Sequence, residues 1–177
     1  MNKSNVILAL GLVPMLVACA STGQVTVLEP VGPTPLRATA PKPESDGTLK
    51  VYSLRGIQTA EGVNYHPHTD YTLVSGANQR KEIHNAGHQY GEEPVAVFLP
   101  AGAYTVEALA QGYRRVRVPV VIEAGRLTAV YLESSKRPQV AQSDSQDWVR
   151  LPGGTTVGWR ANLAAATTSP QGSAPSR

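Results

Sequence analysis

The chain has 177 residues, with 16 basic and 13 acidic side chains and a formal charge of +3, an imbalance that gives no ground for a nucleic-acid partner. Aromatic residues make up 6% against 16 Gly and 14 Pro, which fits one modest core with extended connections. Cys19 is the one cysteine, so disulfides and cysteine-rich zinc sites are excluded and the folded part must be held by packing alone.

The N-terminus reads as an export address. Lys3 supplies a short positive segment, and Val6 to Val17 is apolar apart from Gly11 and Pro14. That is the length of a signal-peptide core, short of the ~20 apolar residues that a membrane-spanning helix needs. Leu16-Val17-Ala18-Cys19 closes the run, with small residues at Ala18 and Ala20 flanking the cysteine, and resembles a bacterial lipobox. The resemblance implies export, transfer of diacylglycerol to the Cys19 thiol, removal of residues 1–18 as signal peptide and acylation of the new amine. Each buried methylene adds ~0.8 kcal/mol of membrane affinity, so two or three acyl chains hold almost permanently. Ala20-Ser21 follow, without the aspartate that resembles an inner-membrane retention signal. The expected location is therefore the cell envelope, lipid-anchored, and the outer membrane if the host is Gram-negative.

Residues 19–46 are expected to be lipid anchor and tether, since Pro30, Pro33, Pro35, Pro41 and Pro43 interrupt any apolar periodicity. Val25, Val27 and Leu28 are apolar enough to form an edge segment of the domain. Residues 161–177, rich in Ala, Thr, Ser, Pro and Gly, are expected to be a disordered tail. Between them, residues 47–160 show turn signals every eight to twelve residues and no helical stripe, which predicts an all-β domain. The expected strands are Thr48 to Arg55, Tyr71 to Ser75, Arg80 to His84, Pro94 to Leu99, Ala103 to Ala110, Arg114 to Ile122, Leu127 to Glu133, Trp148 to Leu151 and Thr155 to Trp159.

Two hairpins can be given a register. Around Glu123-Ala124-Gly125, with Gly125 left-handed, Val120 is expected to face Thr128, Val118 Val130 and Val116 Leu132. The other face would pair Arg117 with Tyr131 and Arg115 with Glu133. Pro119 lacks a ladder donor, which predicts an edge strand or a bulge. At the other hairpin, a two-residue Gly153-Gly154 turn sets Leu151 against Thr156 and Trp148 against Trp159.

Leu99-Pro100-Ala101-Gly102-Ala103-Tyr104-Thr105-Val106, then Gln111-Gly112-Tyr113, then Val118 to Gly125 and Val130-Tyr131-Leu132 together resemble the PEGA and carboxypeptidase-regulatory-like β-sandwich modules. Gly47-Thr48-Leu49-Lys50-Val51 is similar to their first strand. The resemblance covers Gly47 to Glu133 and departs from the pattern at a long polar insertion, Gly62 to Gly91. It implies a single antiparallel sandwich of the Ig-like or transthyretin-like kind, non-catalytic, that binds protein or polysaccharide or acts as a spacer.

All four histidines fall in that insertion or beside it: His66-Pro67-His68 followed by Asp70, and His84 with His88. Imidazoles and a carboxylate are zinc or copper ligands, and an extended segment would put His66 and His68 on one side. The spacing matches no defined motif, so a solvated polar loop is the reading adopted and a metal-binding envelope lipoprotein the alternative. No Gly-x-Ser-x-Gly elbow is present, and Glu92-Glu93 are neighbours that would point apart on a strand, so no enzyme and no cofactor are expected. Trp148 and Trp159 could stack on a sugar ring, but paired aromatics more often cover a core end. Arg114, Arg115 and Arg117 could meet anionic lipid or glycan, but the hairpin register gives Arg115 and Arg117 local partners, so a solvated face is expected. The expected partners are the membrane, through Cys19, and an envelope protein or glycan.

Overall fold

Alternation with a period of two decides how this chain buries its core. The computed structural model describes residues 25–35, 46–87, 93–135 and 147–162. Cys19 and the signal peptide, the proline-rich stretch 36–45, His88 and residues from 163 onward lie outside the described residues. In chain order the strands are β1 (Thr26–Val27), β2 (Val31–Gly32), β3 (Asp46–Tyr52), β4 (Gln58–Ala60), β5 (Val63–Tyr65), β6 (Tyr71–Ser75), β7 (Arg80–Ile83), β8 (Ala96–Pro100), β9 (Gly102–Ala110), β10 (Tyr113–Ile122), β11 (Leu127–Tyr131), β12 (Trp148–Arg150) and β13 (Thr156–Arg160). The fold is all-β, with no α-helix among the described residues.

The larger sheet runs β12-β13-β2-β10-β9-β6-β7, with β1 also on β10, and the smaller one runs β11-β3-β8. Each contributes one face to a shared core. In β3, Gly47, Leu49 and Val51 point inward while Thr48, Lys50 and Tyr52 point outward. Leu49, Val51, Val130 and Leu132 from the smaller layer meet Val31, Val106, Val116, Val118 and Val120 from the larger, all fully buried. Burying each such side chain contributes ~1.5–3 kcal/mol. The layers approach closely at Gly158, where an added Cβ would lie 2.6 Å from Val31 Cγ1 and 2.8 Å from the Ala129 oxygen.

The sheets are mixed, where an antiparallel sandwich was expected: β10 pairs in parallel with β1 and β2, and β11 in parallel with β3. Both departures have a visible cause in the backbone hydrogen bonds. The segment expected to be tether supplies β1 and β2, with Leu28 N donating to Arg117 O at 2.9 Å. And the hairpin expected at Glu123-Ala124-Gly125 is a crossing between layers. Gly125 is left-handed there, with φ 68°, and Arg126 N reaches Glu123 O at 3.1 Å. But Gly125 N donates to Asp46 O and Thr48 N to Arg126 O, which hands the chain to β3. β10 pairs instead with β9, Val118 opposite Val106 and Val120 opposite Tyr104. The expected partners Arg117–Tyr131 and Arg115–Glu133 are therefore on different sheets; Arg117 meets Glu107 and Glu133 meets Arg55.

Pro119, expected on an edge or at a bulge, sits in a central strand opposite Thr105, and the irregularity of β10 lies between Tyr113 and Val116. The carbonyl of Arg117 points to β1, so the backbone of Pro119 also faces that side, between Arg117 beside Val27 and Val120 beside Val31. The missing donor falls where the neighbouring strand is interrupted between β1 and β2. At the other end of the sheet Trp148 stands opposite Trp159 as expected. The loop differs: Leu151 N bonds Thr155 O and Gly154 takes φ 86°, which makes a three-residue loop with a bulge. The domain also runs past 160, since Ala161 is buried and its N–H donates to Pro30 O at 2.9 Å.

Candidate functional site

Beyond β3 the chain leaves the sandwich as a two-stranded arm. β4 and β5 pair only with each other, Ala60 opposite Val63 and Gln58 opposite Tyr65. Glu61 and Gly62 both have positive φ, 52° and 77°, the requirement of the type I′ turn whose twist matches a hairpin. The ribbon continues to its root through Gly56 N to Pro67 O and Thr69 N to Leu54 O, both 2.9 Å. Residues 57–64 are exposed throughout. The insertion read as a polar loop thus contains a defined projection, signalled by the Glu61-Gly62 dipeptide.

The root of the arm is fixed by buried polar groups. His68 is buried, and its Nδ1 lies 2.9 Å from the Ser53 carbonyl, which can only accept, so Nδ1 carries the proton. Its Nε2 lies 4.0 Å from Glu133 Oε1, and Arg55 Nε donates to Glu133 Oε2 at 2.8 Å. Tyr52 meets the His68 ring edge-on at 5.8 Å and stacks on Tyr131 at 4.7 Å. Burial, then the Glu93 carboxylate, pushes the Tyr52 phenol up to about 12; burial also raises Tyr131. Neither hydroxyl is a ready nucleophile near neutral pH.

Asn85 closes the cluster. Its Nδ2 donates to Val51 O at 2.8 Å and to Ser53 Oγ at 3.0 Å, while Val95 N donates to its Oδ1 at 3.2 Å. The register that puts Lys50 opposite Ala96 would make Val51 and Val95 the next pair, so this amide stands in for a ladder rung. Ser53 Oγ donates to Thr69 O at 2.6 Å rather than to His68. Ser53, His68 and Glu133 are neighbours without forming a nucleophile and base.

The proposed metal ligands separate. His66 is exposed on the arm, His68 faces the interior, and His84 Nδ1 pairs with Asp70 on the surface at 3.1 Å. Among the described residues no three His, Cys, Asp or Glu side chains gather as a metal site. Trp148 and Trp159 pack on each other with centroids 4.0 Å apart, Trp148 buried and Trp159 half-buried.

On the outer face of the larger sheet, Glu107 is buried beneath two arginines, Arg80 Nη2 at 2.5 Å and Arg117 Nε at 2.9 Å. Its carboxyl is held below the usual range, first by the Arg80 hydrogen bond. A shallow polar depression of about 110 Å³ adjoins it, lined by Asp70, Thr72, Glu82 and Arg115 among others. The ion pair was not legible in the sequence because Arg80 and Glu107 lie 27 positions apart. No match is found among protein families, curated proteins or solved structures, so the functional reading rests on this chain's own residues.

Proposed function

We propose that this is a lipid-anchored protein of the bacterial envelope, held at the outer membrane through Cys19, whose β-sandwich acts as a non-catalytic interaction or structural module. The lipobox-like Leu16-Val17-Ala18-Cys19 carries the reading. The geometry supports the non-catalytic part through what its polar groups already do. Ser53, His68, Asn85 and Glu133 are spent on the root of the arm, and Glu107 on an ion pair that covers the sheet. The module resembles the PEGA and carboxypeptidase-regulatory-like domains in its Leu99 to Val106 turn and strand, and an envelope protein or glycan is the class of partner that such a module would hold. Cys19→Ser tests the anchor: the protein is expected to move from the membrane fraction to the soluble envelope fraction. Retention of the variant in membranes washed with high salt would overturn the reading.

A further inference from the structure

Thr26 begins β1 seven Cα steps beyond Cys19. Whatever conformation the intervening residues take, the start of β1 lies within ~25 Å of the lipidated residue. A domain of this length is ~35 Å across, so the short connection restricts which part of the surface can meet the membrane.

The register identifies that part. β1 runs parallel to β10, with Thr26 beside Val116 and Val27 beside Arg117, so the chain arrives from the end of the sandwich where β10 starts. The β9–β10 turn at Gln111-Gly112 is at this end, as are the end of β11, through Gln111 N to Leu132 O, and the root of the arm, through Leu54 N to Leu109 O. Among the described residues, the exposed large apolar side chains Val25 (37%), Val27 (65%), Ile57 (76%) and Val63 (51%) belong to the arriving segment and the arm, while Phe98 and Leu127 lie on β8 and β11. Arg114 and Arg115 follow the turn directly and are exposed. Arg55, Arg80, Arg117, Arg126 and Arg160 are bound by carboxylates, whereas Arg114 and Arg115 take no ion-pair partner among the described residues. Glu61 at the tip of the arm is an exposed carboxylate that opposes a negative surface, as are Asp70 and Glu82, which share the polar depression with Arg115.

We propose that this end of the sandwich lies on the bilayer surface, with Arg114 and Arg115 against anionic lipid headgroups and Val25, Val27, Ile57 and Val63 at the interface. The inference rests on lipidation at Cys19. Anchoring makes the contact intramolecular, so weak individual contributions suffice to set the orientation. A basic residue near an anionic membrane shifts such a balance about fivefold, two of them about 25-fold.

The test uses the full lipidated chain floated with vesicles of phosphatidylglycerol and phosphatidylethanolamine. Because the Cys19 thiol is consumed by the lipid, Val63→Cys or Ala124→Cys supplies the one site for a spin label. Ala124 is exposed at the far end of β10. The Val63 label is expected to be shielded from a water-soluble nickel chelate and the Ala124 label to be open to it. Arg114→Gln with Arg115→Gln is expected to reopen Val63 in large part. Flotation with both labels equally open overturns the orientation alone. Shielding of Val63 that persists in detergent and grows with protein concentration assigns the surface to a second copy and also overturns it. A protein that does not float overturns lipidation, and the orientation with it.

Discussion

Asn85 completes the smaller sheet with its side chain, and the residue scale is where this fold is least legible in its sequence. Its partners Val51 and Val95 lie 34 and 10 positions away, and nothing local marks this asparagine from others in polar loops. Asn85→Ala leaves a buried carbonyl and amide unmet, a loss expected to cost ~2–4 kcal/mol in urea unfolding. An unchanged midpoint would show that water or backbone movement replaces the rung. Glu107 gives a pH-dependent counterpart. Its carboxyl titrates lower in the folded protein than in the unfolded chain, because Arg80 and Arg117 favour the charged form. Such a group contributes stability above its unfolded value that is lost as pH falls through the folded one. Stability is therefore expected to decline in acid below about pH 4.5, and Glu107→Gln to flatten that decline in unfolding curves measured between pH 7 and pH 3. Equal slopes for both proteins would assign the acid limb to other carboxylates.

At the scale of elements, periodicity shows which face of a strand is buried but not which strand lies beside it. The spans of β6, β9 and β10 follow closely from alternation, and Trp148 opposite Trp159 follows from a nearby turn. The turn at Gly125 was equally readable, yet its outcome was not, since Val116, Val118 and Val120 face inward whether β11 returns beside β10 or crosses to β3. The bonds that choose, Gly125 N to Asp46 O and Thr48 N to Arg126 O, join segments nearly 80 positions apart. β2 was hidden for another reason: it has two residues and stands between Pro30 and Pro33, which reads as tether, whereas the apolar Val25, Val27 and Leu28 pointed to β1 as an edge segment. Close approach of the layers at Gly158 is a further property of the assembled elements. Gly158→Ala places a methyl against Val31 and the Ala129 carbonyl and is expected to destabilise by ~1–3 kcal/mol, read as a lower melting temperature. A melt identical to the parent's would show that β13 can shift without loss.

For the whole molecule, the position of β1 changes how the proposed anchor at Cys19 would act. A sandwich beginning at residue 47 would stand off from the membrane on a long proline-rich tether. With β1 at Thr26, that stretch instead connects β2 to β3 within the domain, and only a short segment separates Cys19 from the larger sheet. On the proposed anchoring, the arm, its buried polar root and Arg114 with Arg115 are features of a domain held close to the bilayer. The proposed address rests on four consecutive residues because a lipobox is a linear signal, unlike the sites that the fold assembles. Intact mass spectrometry of the protein extracted from membranes tests this account most directly. It predicts a chain that begins at Cys19 and carries a diacylglyceryl thioether with an acylated amine. A mature chain that keeps residues 1–18, or begins elsewhere without lipid, would contradict it.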